Sequence, residues 1–153
     1  METLNPRVRY VWFVAAAVVA VLLGAAAWAV DQFLVVLTDL LAPAVVAVVV
    51  LVGGAYVVQK YRVWQFEIRE DDLSLERGVF TRVKTVVPFV RVQHVDTHRG
   101  PIERAVGLAS VVVYTAGSRG ADVTIPGLTP ERAAAIQEEL RRLAIESESE
   151  DAV

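Results

Sequence analysis

The sequence contains no cysteine among its 153 residues, so it has no disulfide framework, no thiolate metal site and no thiol nucleophile. Charged residues make up 22% of the chain, yet they are absent from two long stretches, residues 11–30 and 40–58. No Gly-Lys-Ser or Gly-Lys-Thr occurs either, so the glycines of residues 117–120 do not form a phosphate loop. These absences point to a lipid environment for part of the chain and away from several common catalytic sites.

Residues 11–30 are long enough to cross a bilayer as a helix. Twenty residues at about 1.5 Å each span about 30 Å, the thickness of the hydrocarbon core. Residues 40–58 form a second apolar stretch, and neither stretch has the polar face that a soluble core helix carries. Gly53 and Gly54 in the second stretch permit close helix packing in lipid. We therefore predict a two-span transmembrane hairpin over residues 1–62.

Basic residues flank this hairpin on one side only. The cations next to the spans are Arg7, Arg9, Lys60 and Arg62. The connection between the spans has none, which predicts that both termini are cytoplasmic. A secretory signal peptide is the alternative, because Ala27-Trp28-Ala29 fits a small-x-small cleavage pattern. Even after cleavage there, the second span would leave the C-terminal part in the cytoplasm.

The residues after the hairpin alternate apolar and polar side chains, which predicts strands with one buried face. We predict strands over residues 64–69, 73–76, 79–87, 90–99, 109–115 and 122–125, with a short helical turn or loop over residues 102–107. The apolar phase shifts by one after Val92, which predicts a bulge near Gln93 and His94.

The last element has the start signals of a helix. Thr129 is suited to the N-cap and Pro130 to the first helical position. Its apolar residues recur at three- and four-residue spacing and predict a stripe that packs on the sheet: Ala133, Ile136, Leu140 and Leu143. Residues 146–153 alternate acids with serine, so we predict a disordered acidic tail there.

Four segments of the chain are similar to a known family. They are Val87 to Val95, Gly100 to Ala109, Tyr114 to Gly117, and Ile125 to Leu128. In order and spacing they resemble the membrane-anchored bacterial pleckstrin-homology (PH) domain proteins of the YdbS-like family. The resemblance implies a cytoplasmic PH-like domain over residues 63–145, a strongly bent antiparallel β sheet or barrel capped by a C-terminal α-helix. It implies no enzyme activity, and no pattern in the sequence indicates a cofactor.

Basic residues dominate the middle of the chain. Residues 77–119 hold seven basic and two acidic residues, whereas residues 120–153 hold three basic and eight acidic ones. Each cation close to an anionic leaflet contributes about 1 kcal/mol of binding. The candidates for contact with a lipid surface are Arg77, Arg82, Lys84, Arg91, Arg99 and Arg104. Ordinary solvated strand faces are the alternative.

Two known ligand classes are disfavoured by this charge distribution. Eukaryotic domains of similar fold bind inositol phosphates through basic residues in the first strand-to-strand loop, but here that loop, residues 70–72, is acidic. Nucleic-acid binding is disfavoured because no recognition motif is present and the acidic C-terminal part would repel phosphate.

One trio of residues resembles a metal-ligand set. His94, Asp96 and His98 have the spacing of three ligands on one strand face and would suit zinc or another divalent metal. The predicted bulge would break that common face, and no nucleophile or oxyanion motif accompanies the trio. We therefore predict a non-enzymatic, membrane-tethered binding or assembly module that contacts membrane lipids and a membrane-protein partner or a second copy of the chain. A metal-binding or metal-dependent enzyme site is the alternative.

Overall fold

The computed structural model describes residues 1–34, 41–116 and 122–151, and the chain forms two compact units. The helical unit is Arg9–Gln59, and the sheet unit is Met1–Val8 together with Lys60–Val153. The helices are α1 (Val8–Leu34), α2 (Leu41–Val63), α3 (Pro101–Val106) and α4 (Pro130–Asp151). The strands are β1 (Glu2–Thr3), β2 (Gln65–Ile68), β3 (Asp72–Arg77), β4 (Val83–Pro88), β5 (Val92–His98), β6 (Ala109–Thr115) and β7 (Val123–Leu128).

Helices α1 and α2 contain the two predicted spans. The segments Val8–Gln32 and Ala42–Val63 are 25 and 22 residues long, enough to cross a bilayer. A core helix of a soluble protein would be mostly buried, whereas only 11% and 6% of their most apolar stretches are buried. Large apolar side chains such as Leu51, which is 73% exposed, therefore need lipid around them.

The two spans pack closely at their small residues. A Cβ built on Gly24 would lie 2.5 Å from Val46 Cγ2, so only glycine fits this crossing without a shift. A Cβ on Gly53 would lie 3.4 Å from the Ala16 Cβ. Small residues let helix backbones approach in lipid, where packing rather than the hydrophobic effect drives association. Gly53 thus lies in the helix interface that the sequence predicts for it.

The sheet unit contains two antiparallel sheets. Their strand orders are β1-β2-β3-β4 and β5-β6-β7, and a 3₁₀ turn, Phe89–Arg91, connects β4 to β5. In the described residues no strand pairing joins one sheet to the other, so the sheets do not close into a barrel. The resemblance allowed either a bent sheet or a barrel, and the structure has open sheets.

Helix α4 covers the core, as its apolar stripe predicts. Ala133, Ile136 and Leu140 are fully buried, and the helix packs on β5, β6 and the 3₁₀ turn. Opposite them, Val111 and Ile125 are also fully buried. Burying a large aliphatic side chain stabilises the fold by about 1.5–3 kcal/mol, so this helix is a principal source of stability for the sheet unit.

The N-terminal residues differ from the predicted domain boundary at residue 62, because residues 1–8 belong to the sheet unit. Strand β1 pairs with β2, with Glu2 opposite Phe66 and Thr3 opposite Gln65. The next residue, Leu4, is 1% exposed, and its carbonyl accepts a hydrogen bond from the Tyr61 hydroxyl at 3.1 Å. Two residues of strand are too few to show an alternating pattern, so the sequence carries no signal for this pairing.

The acidic segment also differs from its prediction as a disordered tail. Helix α4 continues to Asp151. The Ser147 hydroxyl donates to the Ala144 carbonyl at 2.9 Å, and the Ser149 hydroxyl donates to the Glu146 carbonyl at 2.6 Å. These local bonds and the i,i+4 pair of Arg142 with Glu146 at 4.0 Å accompany the extra helical turns.

Candidate binding surfaces

A groove lies between β5 and α4 in the sheet unit. It has a volume of about 560 Å³, in the range of ligand-binding clefts. The residues that line it are Val92, Gln93, His94, Val95, Gln137, Glu138, Arg141, Ala144 and Ile145. Val92 and Ala144 are buried and form an apolar floor, whereas Gln93, Arg141 and Ile145 are exposed along the rim.

Gln137 connects the two walls of this groove. Its Nε2 donates to the Val95 carbonyl at 2.7 Å, and its Oε1 accepts from the Thr97 hydroxyl at 3.0 Å. β5 is an edge strand of its sheet, so these bonds occupy backbone and side-chain groups on its outer side. The groove continues along α4 from Gln137 to Ile145, beside the first half of β5.

A bulge lies in β5 at the groove. The register of β5 against β6 shifts between Val92 and His94, where the sequence predicts a one-residue bulge. His94 then pairs with Tyr114 on β6, and the two rings stack with centroids 4.2 Å apart and planes inclined by 17°. This contact holds the exposed imidazole against the sheet, so His94 forms a fixed part of the rim.

The metal-site alternative is not supported. The bulge precedes His94, so His94, Asp96 and His98 do share a face, contrary to the predicted break. Residues two apart on a strand are separated by about 6.6 Å, and the outer two by about 13 Å, so one ion cannot reach all three from a regular strand. The described parts of the chain contain no group of three or more histidines and acids placed to hold a metal.

The six basic candidates occupy three places in the sheet unit. Arg77, Arg82 and Lys84 belong to the hairpin of β3 and β4, and Arg91 ends the 3₁₀ turn. Arg99 and Arg104 lie before and within α3, and the Arg99 Nε donates to the Leu108 carbonyl at 3.3 Å. Arg82, Lys84, Arg91, Arg99 and Arg104 are exposed, and Arg77 is half-buried.

Phe80 is a surface residue that the sequence pattern did not indicate. The chain turns between β3 and β4 over residues 78–82, which we call the β3–β4 tip, and Phe80 there is 91% exposed. Alternation had predicted a strand from residue 79, but the tip turns because Gly78 adopts φ +103°. A Cβ on Gly78 would overlap the Thr81 carbonyl oxygen, so the turn requires glycine. An aromatic residue two positions after such a glycine was the available signal.

Glu67, in β2 beside the acidic β2–β3 turn, has a carboxyl group with a lowered pKa. Arg69 Nε donates to Glu67 Oε2 at 2.9 Å, and the N-terminal amine donates to Glu67 Oε1 at 3.2 Å. These two hydrogen bonds, that of Arg69 first, lower the pKa of the Glu67 carboxyl. The same contact raises the pKa of the Arg69 guanidinium. The contact between the N-terminal amine and Glu67 therefore helps to hold the N-terminal strand on β2.

The arrangement of two apolar helices, two antiparallel sheets and a covering helix agrees with the comparison with known families. The family model described as "Bacterial PH domain" matches residues 6–144. The chain belongs to the bacterial PH domain family. The match includes both spans as well as the sheet unit, so the predicted resemblance of nearly the whole chain is confirmed.

One relative of this bacterial PH domain protein is a membrane protein. The UPF0699 transmembrane protein YdbS of Bacillus subtilis (strain 168) is 36% identical over 85 residues, which are 56% of this chain and 52% of the relative. The match thus spans about half of that relative. No solved structure matches the chain. Membrane association of this PH domain protein therefore rests on a transmembrane relative and on two helices of its own.

Proposed function

We propose that this protein is a non-enzymatic assembly module whose PH-like domain, at the cytoplasmic face of the membrane, binds an extended segment of another membrane protein. The observation that carries the proposal is the groove between β5 and α4. It combines an edge strand with a buried apolar floor, which is the combination that strand addition uses: backbone groups supply affinity and a side-chain pocket supplies specificity.

The occupant is expected to be extended and partly apolar. Val92 and Ala144 on the floor would accept one apolar side chain, and the exposed Ile145 would cover it. We take the occupant to be a segment of another membrane protein.

The charge of Arg141 favours an acidic residue in the bound segment. Its Nη1 lies 3.9 Å from Glu138 Oε2, and both side chains are exposed, so this ion pair contributes little. The Arg141 guanidinium can therefore turn toward a carboxylate on the bound segment. A carboxylate on the bound segment, close to the apolar side chain that Val92 and Ala144 accept, would complement the positive charge of Arg141 on the rim.

Site-specific photo-cross-linking in native membranes tests this function. A photo-reactive residue at Ile145, on the groove rim, should trap one partner of defined mass. The same residue at Ala135, which is exposed on α4 and does not line the groove, should not trap it. Ala144→Phe, which fills the floor, and Gln93→Trp, which narrows the exposed rim without entering the core, should both abolish the product.

Several outcomes would overturn the proposal. Equal products from Ile145 and Ala135 would show non-specific proximity, and a product that persists in both Gln93→Trp and Ala144→Phe would place the contact outside the groove. A product of twice the chain's own mass would identify a second copy in place of a different protein. Gln93→Trp alters only an exposed side chain, so it keeps the test valid if Ala144→Phe fails to fold.

A further inference from the structure

The β3–β4 tip presents an aromatic side chain to the surroundings among cations. Phe80 is almost fully exposed, and Val83 at the start of β4 is half-exposed. Arg77 immediately precedes the tip, Arg82 ends it, and Lys84 follows two residues later. Transfer of so exposed a phenyl ring from water into an apolar environment is favourable.

The charge around the tip has one sign over a long stretch. Residues 77–95 include four cations and no aspartate or glutamate. Glu76 is the nearest acid along the chain; it pairs with Lys84 in the ladder, and its Oε2 accepts a hydrogen bond from Gln65 Nε2 at 2.9 Å. The acid thus offsets part of the charge of Lys84. The tip itself favours an anionic surface.

The ladder places the tip at a particular end of its sheet. Gln65 is opposite Glu76, and Arg77 is opposite Val83, so the tip extends beyond the Gln65 end of β2. Gln65 is separated from the last residue of α2 by Trp64 alone. Thr3 also pairs with Gln65, so the N-terminal strand leads toward α1 from the same end. Both connections to the membrane spans therefore leave the sheet at the end that carries the tip.

We propose that the β3–β4 tip enters the headgroup layer of the membrane that the two helices cross. Phe80 inserts at the boundary of headgroups and acyl chains, where aromatic rings are favoured, and Arg77, Arg82 and Lys84 bind anionic lipid phosphates. The tip fixes the tilt of the PH-like domain on the bilayer. This contact is independent of the β5–α4 groove and goes beyond the protein-binding role.

Fluorescence quenching in vesicles tests the insertion with the full-length protein. Because the chain has no cysteine, Thr81→Cys gives one labelling site that leaves Phe80 in place. An environment-sensitive dye is attached there, and the protein is reconstituted into vesicles of phosphatidylcholine and phosphatidylglycerol containing a lipid with a doxyl quencher near the headgroup. Glu70→Cys is the matched control, since residue 70 is exposed in the turn at the opposite end of the same sheet.

The expected result is strong quenching of the dye at residue 81 and weak quenching at residue 70. Phe80→Ser should reduce quenching at residue 81 to the control level. Arg82→Gln with Lys84→Gln should remove the added quenching that phosphatidylglycerol gives over phosphatidylcholine alone. This last effect should also weaken with salt, because exposed charges are screened within about 10 Å at 0.1 M ionic strength.

Three results would overturn the proposal. One is equal quenching at residues 81 and 70, and another is quenching at residue 81 that survives Phe80→Ser. The third is quenching that rises with the density of protein at constant lipid composition, since this would show that the tip contacts another copy of the chain. No other protein is present in these vesicles, so a partner protein cannot produce the expected signal.

Discussion

Val8 and Gly127 are in contact at the point where the first transmembrane helix begins. Val8 is the first residue of α1 and is 2% exposed, and a Cβ built on Gly127 would lie 2.6 Å from the Val8 Cβ. Just before it, the Asn5 amide donates to the Gly127 carbonyl at 2.8 Å. The chain is therefore held in the sheet unit up to the residue at which the first span starts.

Gly127→Ala should destabilise the sheet unit. Gly127 has φ +65°, which costs other residues about 1–2 kcal/mol, and the overlap with Val8 should add about 1–3 kcal/mol. Thermal unfolding of the detergent-solubilised protein would measure the loss. Gly100→Ala is the control, because φ there is −69° and the nearest atom would lie at 3.5 Å. An equal shift for both variants would contradict the assigned contact.

Leu4→Ala should lower the stability of the sheet unit by about 2–5 kcal/mol, because it leaves a cavity at a buried leucine. The fluorescence of Trp64, which is buried and packs edge-to-face on Phe66 at 6.3 Å, can report unfolding of this unit. Val90→Ala, at a half-exposed position, should have little effect. If Leu4→Ala is as mild as Val90→Ala, the N-terminal residues do not belong to the PH-like domain.

Gly24→Ala should weaken the packing of the two spans by about 1–3 kcal/mol, since the added methyl overlaps Val46 Cγ2. Val46→Ala removes that atom, so the double variant should be more stable than the sum of the single effects implies. Denaturation of the protein in micelles gives all three values. Ala25→Val, on an exposed face of α1, is the size-matched control and should be neutral. Strict additivity of the two changes would refute the contact.

Acid should loosen the pairing of β1 with β2. The lowered pKa of Glu67 means that its stabilising effect is present above the ordinary carboxyl pKa, and it is lost as the pH falls through the lowered value. Between about pH 6 and pH 3, the melting temperature should therefore fall more for the wild-type protein than for Glu67→Gln. The difference should be small because the site is exposed. Melting temperatures that fall equally with pH in the wild-type protein and in Glu67→Gln would rule out this role for Glu67.

Both termini should be cytoplasmic. Basic residues flank the outer ends of both spans and are absent between them, which predicts this orientation. A fluorescent protein fused after Val153 should fold and emit, whereas an alkaline phosphatase fused at the same place should be inactive. Phosphatase activity at the C-terminus would reverse the predicted orientation. Fusion between the spans, after Gln32, is the control and should give the opposite pair of signals.

Several elements of the fold follow from local pattern. The β5 bulge was predicted from the one-residue shift between Val92 and Val95, and α4 from Thr129, Pro130 and the apolar stripe. The short helix α3 lies where a helical turn was predicted. Residues 117–120, which separate the strands predicted over residues 109–115 and 122–125, lie outside the described residues. The strand predicted over residues 79–87 starts later than expected, at Val83, because the turn that begins at Gly78 continues to residue 82.

By itself, the sequence determined the membrane spans, the order of most strands and the covering helix, because charge-free length and side-chain period are properties of neighbouring residues. Tertiary structure alone decided that residues 1–8 join the sheet, that the groove lies between β5 and α4, and that Phe80 is exposed. These features join residues far apart in the chain or depend on a turn. The residues of such a surface show no periodic pattern along the sequence. They can therefore be identified only in the packed structure of the sheets and α4.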